Sequence, residues 1–381
     1  MKPIVIIGTG LAGYNLAKEF RKLDKERPLR IFTADNGDSY SKPLLSNALA
    51  KGKTAEQLVI ASAEKMALQL NAVIDTHARV ASIDATAKTI VVGDQVIEYH
   101  QLVLATGASQ ILLPIAGTGA EDIFSVNDLQ QYGQFRAALE NAQSIAIIGP
   151  GLIGCEFAND MVAVGKKATV IGPGETPLER LLPPEAGLLL QQVLASKGVE
   201  WRLGVTAASV DKAPAGYQLV LSDGSELQVD LVLSSIGLRP NIELAELAGA
   251  DTNRGIVVDR YLQSSLPDIY ALGDCIEIAG LVLPFVLPLV NGARTLAKTL
   301  SGTPTQVSYP AMPVVIKTPA HPIVISPPAS DAQGQWQLDV EQSGVRAHFR
   351  DAQNALLGFA LTGDKVSEKQ ALTRELPPVL Q

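Results

Sequence analysis

The residues best placed to do chemistry are two sets of glycines. Ile4-Val5-Ile6-Ile7-Gly8-Thr9-Gly10-Leu11-Ala12-Gly13 recurs, little altered, as Ile145-Ala146-Ile147-Ile148-Gly149-Pro150-Gly151-Leu152-Ile153-Gly154. Each copy is a short β-branched run, then G-x-G-x-x-G, then a helical pattern, and the copies stand 141 residues apart (149 minus 8). In such a loop the first glycine permits a tight turn, the second lets backbone approach a pyrophosphate, and the third lets helix pack on strand. The helix N-terminus offers unpaired N–H groups and partial positive charge to the phosphates. One glycine-rich turn says little, because such turns are common. Two in strand–turn–helix settings predict two dinucleotide sites in one chain, and hence electron movement between two nucleotides.

The elements that must position these loops can be read around them. Ile4–Ile7 and Ile145–Ile148 suit strands buried on both faces. Leu16, Ala17, Phe20 and Leu23 keep helical spacing after the first loop, as do Phe157, Met161 and Val164 after the second. The first βαβ unit runs on to a strand at Leu29–Thr33. A ribose-binding acid is expected near its end, and the slot falls on Ala34 or on Asp35, 22 residues after Gly13 (35 minus 13). Short β patterns follow at Ala72–Asp75, Ala78–Ile83, Thr89–Val92 and Gln95–Tyr99, then a buried strand, Leu102-Val103-Leu104, that ends in the small-residue turn Ala105-Thr106-Gly107. The second unit reaches Ala168–Ile171 and passes hairpins around Ser209–Leu227 with Ser222-Asp223-Gly224 as a turn. It closes on Leu231–Gly237, which echoes Leu102–Gly107. A duplicated αβ module is the simplest reading. Beyond it come Asp268–Asp274 and a helix from about Leu287 to Leu300. Pro304, Pro310, Pro313, Pro319, Pro322, Pro327 and Pro328 then mark a small C-terminal domain, with strands near Val314–Lys317, Trp336–Val340 and Val345–Phe349.

Composition bounds the function. At 381 residues the chain suggests two or three domains. Hydrophobic content of 47% and charged content of 18% predict ordered globular structure. Four histidines and two cysteines 120 residues apart (275 minus 155) leave little for a metal cluster, a C-x-x-C motif or a disulfide framework. A net charge of −8 without a Lys/Arg cluster argues against nucleic acid or anionic membrane as partner. The longest apolar stretch, Ile278–Val290, carries Pro284 and Pro288 and is too short to span a bilayer. The first strand begins at Ile4, which leaves no room for a leader, so a cytoplasmic protein is expected.

Together these motifs resemble the flavoprotein disulfide reductase superfamily with two dinucleotide-binding domains, over essentially the whole chain. Ala105-Thr106-Gly107 looks like its A-T-G segment, Gly273-Asp274 like its G-D flavin motif, and Gly237-Leu238-Arg239-Pro240-Asn241 like the G-x-x-P-N turn closing its NAD(P) domain. The resemblance implies an α/β fold: two Rossmann-like dinucleotide-binding domains in glutathione-reductase-like architecture, plus a small α+β C-terminal domain. The FAD-binding domain would be residues 1–108 and 232–306, the inserted NAD(P)H-binding domain residues 109–231, and the C-terminal domain residues 307–381. FAD would meet Gly8, Gly10, Leu11, Ala12, Gly13, Asp35, Lys42, Pro43, Val80, Ala105, Thr106, Gly107, Asp274 and Lys317. NADH would meet Gly149, Gly151, Leu152, Ile153, Gly154, Glu156 and Gly237. A carboxylate such as Asp274, after a glycine at a strand end, can accept a hydrogen bond from a ribityl hydroxyl; an ordinary helix N-cap has the same geometry.

Members that reduce disulfides or peroxides carry a redox-active Cys beside the flavin. Here the matching region, Asp38–Asn47, has none, and Cys155 and Cys275 read as buried small apolar side chains. The resemblance then implies that electrons leave directly from the flavin edge, to a one-electron carrier. Tyr40-Ser41-Lys42-Pro43-Leu44-Leu45-Ser46 resembles the Y-x-[RK]-P-x-L-S segment of the ferredoxin- and rubredoxin-reductase branch. Its S-K-P form, with Val315-Ile316-Lys317-Thr318-Pro319-Ala320, looks closest to the rubredoxin–NAD(+) reductases. The implied partner is rubredoxin or a similar small iron electron carrier, met transiently by a monomer.

Lys42, Lys317 and Glu156 are the catalytic candidates. The lysines would stabilise negative charge on reduced flavin, with surface solubility as their alternative role. The helix starting near Leu287–Asn291 would aim its N-terminus at the same charge. Glu156 would point to the nicotinamide–flavin stack and pair with Lys42; otherwise it is a helix-dipole carboxylate. The ribose acid expected after Ala168–Ile171 is missing, because Gly172-Pro173-Gly174 stands there, and Glu175 is the substitute contact. No arginine pair for a 2′-phosphate follows, Arg180 being the nearest, which favours NADH over NADPH. Lys42 and Lys317, with Arg346 or Lys365, would form a basic patch for an acidic partner. Rival readings are a ferredoxin or flavorubredoxin reductase, an NADH oxidase, and a flavin- and NAD-binding regulatory protein, which would fail to reduce its flavin rapidly with NADH.

Overall fold

The runs that carry the two loops are inner strands of two parallel sheets. The computed structural model describes residues 2–381. Strand β1 (Ile4–Ile7) leads through the first loop into helix α1 (Leu11–Leu23) and back through β2 (Leu29–Phe32). The first sheet has the order Ile269–Ala271, Gln101–Leu104, β1, β2, Val73–Asp75, all parallel. Strand β3 (Ser144–Ile148), helix α2 (Leu152–Ala163) and strand β4 (Lys167–Gly172) repeat the unit. The second sheet runs Val199–Leu203, β4, β3, Leu231–Ser234, again all parallel. Parallel strands need helical crossovers on their faces, so the inner strands β1 and β3 are covered on both sides and almost wholly apolar, while strands further out carry charges such as Arg30, Asp75, Glu200 and Arg202.

The chain passes between the sheets twice, and the two passages run side by side. Ala108–Gln110 pairs antiparallel with Leu238–Pro240. After the second passage the chain supplies Ile269–Ala271 to the first sheet and then helix α3 (Val286–Leu300), which packs on α1. Leu16, Phe20, Leu289 and Leu296 are buried there in one cluster with Ile6 and Val103.

The C-terminal part is an antiparallel sheet of five strands, ordered β5 (Val314–Ile316), Ile323–Ser326, Leu356–Thr362, Gly344–Arg350, Gln335–Glu341, with a short helix at Lys369–Glu375. Ile316, Ile323, Val345 and Ala347 share an apolar cluster with Leu45 of the first unit and Phe157 of α2. At about 1.5–3 kcal/mol for each fully buried side chain of this kind, that cluster fixes the third sheet on the second unit and on the segment around Leu45. The α/β class and three-part architecture expected from the sequence are those observed. Strands 323–326 and 356–362 were not anticipated. No helix among the described residues is long and apolar enough to cross a membrane.

Candidate functional site

Packing explains each glycine in the loops. A Cβ on Gly8, whose φ is +116°, would overlap the Ala105 carbonyl oxygen, and one on Gly13 would overlap the carbonyl oxygen of Gly8. The second loop repeats this: Gly149 has φ +113° and lies against Ser235, and Gly154 lies against the Gly149 carbonyl. Gly10 and Gly151, by contrast, face open space. They are the N-caps of α1 and α2, so no capping side chain competes for the first-turn amides of Leu11, Ala12, Leu152 and Ile153. Outer glycines close the turn and the middle one leaves an open cradle at a helix N-terminus. A pyrophosphate fits both cradles.

The motifs that resembled flavin-binding segments converge on the first cradle. Ala105 touches Gly8, and a Cβ on Gly273 would lie 2.8 Å from Ala12. Thr106 Oγ1 donates to the Asn241 carbonyl (2.9 Å), and Asn241 Nδ2 donates to the Thr106 carbonyl (2.8 Å). The A-T-G turn, with Gly107 at φ +67°, is therefore clamped to the G-x-x-P-N turn that begins at Gly237. Asp35 is exposed just past β2, its Oδ1 held by Thr33 Oγ1 (2.6 Å) and by the Gly37 amide (2.9 Å). Residues 77 and 78 hydrogen-bond to the carbonyls of Asp35 and Thr33, which brings the strand opening at Val80 alongside.

Lys42 and Pro43 open a 3-10 helix, Lys42–Asn47, after the short strand Ser39–Tyr40. Burial pushes the Lys42 ammonium below its usual value, against the pull of Asp274 and Asp128. Burial likewise raises Asp274, and Lys42 offsets it. The cation and the G-D carboxylate, both half-buried, thus each favour the other's charged form. The first turn of α3 adjoins the G-D turn, since Leu289 lies beside Gly273.

Glu156 is fully buried, but its partner is not Lys42. Glu156 Oε2 accepts from Lys317 Nζ (2.5 Å) and from Ser46 Oγ, while Oε1 accepts from the Lys317 backbone amide (2.7 Å). The expected Glu156–Lys42 pair is corrected to a Glu156–Lys317–Ser46 triad; Lys42 instead feels the charges of Asp274 and Asp128. Sequence spacing could not choose between two lysines 275 residues apart (317 minus 42).

Two further α2 residues escaped the sequence reading. Asn159 Oδ1 accepts from the Ala320 amide (3.1 Å), and Asp160 accepts from the amides of Leu49 (2.9 Å) and Ala50 (3.1 Å). Glu156, Asn159 and Asp160 stand at i, i+3 and i+4, one polar stripe on a mostly apolar helix, and that stripe was the available signal. Through it α2 grips the 3-10 segment and the chain after β5 together.

Burial raises Asp160 to about 6, offset by the two amides and Lys51. Its folded value lies above its unfolded one, so its contribution is present below about pH 4 and lost as pH rises through 6. The shift corresponds to about 3 kcal/mol. Asp160→Asn should therefore gain stability relative to wild type between pH 4 and 7, measured by urea unfolding at both ends. A constant difference would show that Asp160 ionises normally.

Of the cations expected to form a basic patch, Lys317 is spent on Glu156. Arg346 pairs with Asp339 (2.5 Å) and Glu368, and Lys365 with Glu341 (2.9 Å). Lys42 is half-buried, so these four do not make a free basic face. Exposed apolar side chains occur instead on the 3-10 segment, the first turn of α3 and β5: Leu44, Val286, Leu287 and Val315. Both cysteines are buried and unpaired, and burial raises both thiols.

Residues 2–299 match the pyridine nucleotide-disulphide oxidoreductase family, and residues 306–376 match the rubredoxin binding C-terminal domain. The chain is 52% identical to a rubredoxin-NAD(+) reductase of Alcanivorax borkumensis, covering 100% of both chains. It is 44% identical to a protein of the same description from Acinetobacter baylyi, over 100% of this chain and 99% of that one. Among solved structures it resembles a ferredoxin reductase from Rhodopseudomonas palustris, with a TM-score of 0.89 and 25% identity over 99% of this chain and 96% of that one.

Proposed function

The chain belongs to the pyridine nucleotide-disulphide oxidoreductase family, and from that premise we propose that it is an NADH-dependent flavoprotein reductase passing electrons through FAD, one at a time, to rubredoxin. The carrying observation is the placement of the rubredoxin-binding part: its first strand is followed directly by Lys317, locked to Glu156 of the helix that opens at the second cradle. Acceptor-binding sheet and nicotinamide-side helix are thus joined by one ion pair.

The flavin, when bound, supplies the conversion between two-electron and one-electron transfer. The protein's part is to bind and orient. Gly8, Gly10, Leu11, Ala12, Gly13, Asp35, Pro43, Val80, Ala105, Thr106, Gly107 and Asp274 hold FAD; Gly149, Gly151, Leu152, Ile153, Gly154 and Gly237 hold NADH. Lys42 and the N-terminus of α3 offset negative charge on the flavin ring. Glu156 and Lys317 hold α2 to the chain after β5 and would orient the nicotinamide end of bound NADH towards the flavin. This reading divides the chain into an FAD domain of residues 1–108 and 241–306, a nicotinamide domain of residues 109–240 and an acceptor domain of residues 307–381; the boundary expected between 231 and 232 moves because Leu231–Ser234 pairs with β3 in the second sheet. Its support is the return of Ile269–Ala271 to the first sheet.

We place the protein in the cytoplasm as a monomer that meets rubredoxin transiently. Unpaired cysteines support the first, and the edge strand Gln335–Glu341 carries Asp339 and Glu341, charges that discourage sheet-to-sheet pairing. Sedimentation should give a single 40.2 kDa species. With three of the four expected cations neutralised, docking rests on Leu44, Val286, Leu287 and Val315, so rubredoxin reduction should fall only shallowly with salt.

The deciding experiment offers the NADH-reduced protein rubredoxin, a flavorubredoxin and a [2Fe–2S] ferredoxin in turn. Rubredoxin should be favoured by about tenfold or more in kcat/KM. Preference for ferredoxin would reassign the acceptor, and failure of NADH to bleach the flavin would favour a regulatory protein.

A further inference from the structure

The two halves of the chain are duplicated closely enough to be laid over one another residue by residue. Ile7 pairs with Phe32 in the first sheet, as Ile148 pairs with Ile171 in the second. The amide of Gly8 donates to the Phe32 carbonyl and that of Gly149 to the Ile171 carbonyl, both at 2.8 Å. Phe32 and Ile171 are therefore equivalent, and three residues on, Asp35 is equivalent to Gly174 (32 plus 3, 171 plus 3). The first half has an exposed carboxylate at the strand end; the second has glycine.

The space over that glycine is not vacant. Glu179 Oε2 occupies the volume that a Cβ on Gly174 would fill. It is brought there because the loop doubles back over the second cradle: the Leu178 amide donates to the Pro150 carbonyl (2.9 Å), with Leu178 at φ +59°. A side chain two residues earlier is excluded as well, since a Cβ on Gly172 would overlap the Pro150 ring. Pro150 thus bars an acid from the strand end, and the loop it anchors returns one from five residues downstream.

Resting on the NADH-dependent reading above, we infer that Glu179, not Glu175, reads the adenosine ribose. Its carboxylate accepts a hydrogen bond from the 2′-hydroxyl, as an acid about 20 residues after the third glycine does in a dinucleotide fold. Gly174 stands 20 residues after Gly154 (174 minus 154), so the carboxylate is in place although the residue is not. A 2′-phosphate would meet the charge of Glu179, with the exposed Glu175 beside it, and be rejected.

The test measures flavin reduction by NADH, NADPH and NADH lacking the adenosine 2′-hydroxyl, in wild type, Glu179→Ala, Glu179→Gln and Glu175→Gln. Wild type should lose about tenfold or more in kcat/KM on the deoxy cofactor, through KM more than kcat. Glu179→Ala should show that loss already with NADH and little further loss with the deoxy form, and its NADH preference over NADPH should narrow by at least about tenfold. Glu179→Gln should restore part of the NADH affinity, and Glu175→Gln should keep the deoxy penalty. If Glu179→Ala still discriminates against the deoxy cofactor, or Glu175→Gln abolishes that discrimination, the assignment is wrong. A wild type that NADH does not reduce would instead overturn the function proposed above.

Discussion

Replacing Glu156 with alanine is expected to lower the unfolding free energy by about 3 kcal/mol. It should also slow flavin reduction by NADH more than delivery of electrons to rubredoxin. The carboxylate is 0% exposed and serves the Ser46 hydroxyl, the Lys317 amide and the Lys317 ammonium. Truncation strands all three donors. Lys317 keeps a side-chain exposure of 31%, so its cation rehydrates in part, which holds the cost at the low end for a broken buried pair. Urea unfolding measures the first effect and single-turnover kinetics the second. Equal slowing of the two half-reactions would remove Glu156 from the nicotinamide side. Combining the change with Lys317→Met should reveal a coupling of about 1 kcal/mol or more, whereas additive losses would mean the ion pair is incidental.

Alanine in place of Gly10 and of Gly13 should produce opposite failures. At Gly13 the new methyl meets a backbone carbonyl, which cannot move without opening the turn and shifting α1 off β1. We expect a loss on the order of 4 kcal/mol and poor soluble yield. At Gly10 nothing in the protein obstructs the methyl, so the apoprotein should melt within a few degrees of wild type. It should nevertheless bind FAD about a hundredfold more weakly, because the methyl projects where phosphate must sit. Flavin absorbance after gel filtration and thermal melting of the apoprotein separate the two. If Gly10→Ala retains its flavin fully, the first cradle does not hold the pyrophosphate.

What could be read in advance follows the range of the interaction. The loops were legible because Gly8, Gly13, Gly149 and Gly154 answer to backbone only a few residues away or on the adjacent strand. Strands 323–326 and 356–362 were not, although their apolar runs are clear. Pro319, Pro322, Pro327 and Pro328 frame the first and read as part of a domain boundary. Prolines at strand ends are compatible with a ladder, and here they bound a strand rather than exclude it. Glu156 was recognised as a candidate, yet its partner was misassigned, since Lys42 and Lys317 differ only in which distant segment folds against α2. Glu179 was missed because sequence counting looks for the acid at the strand end, while the loop delivers its carboxylate from beyond.

The paired segments Ala108–Gln110 and Leu238–Pro240 suspend the second sheet on a double-stranded stalk. On the far side, Glu156, Asn159 and Asp160 clasp the 3-10 segment and the chain after β5. Exchange of the suspended module between two copies would require unzipping the stalk and releasing the clasp together. The arrangement therefore guards against swapped dimers, a common hazard when one module is spliced into the middle of another.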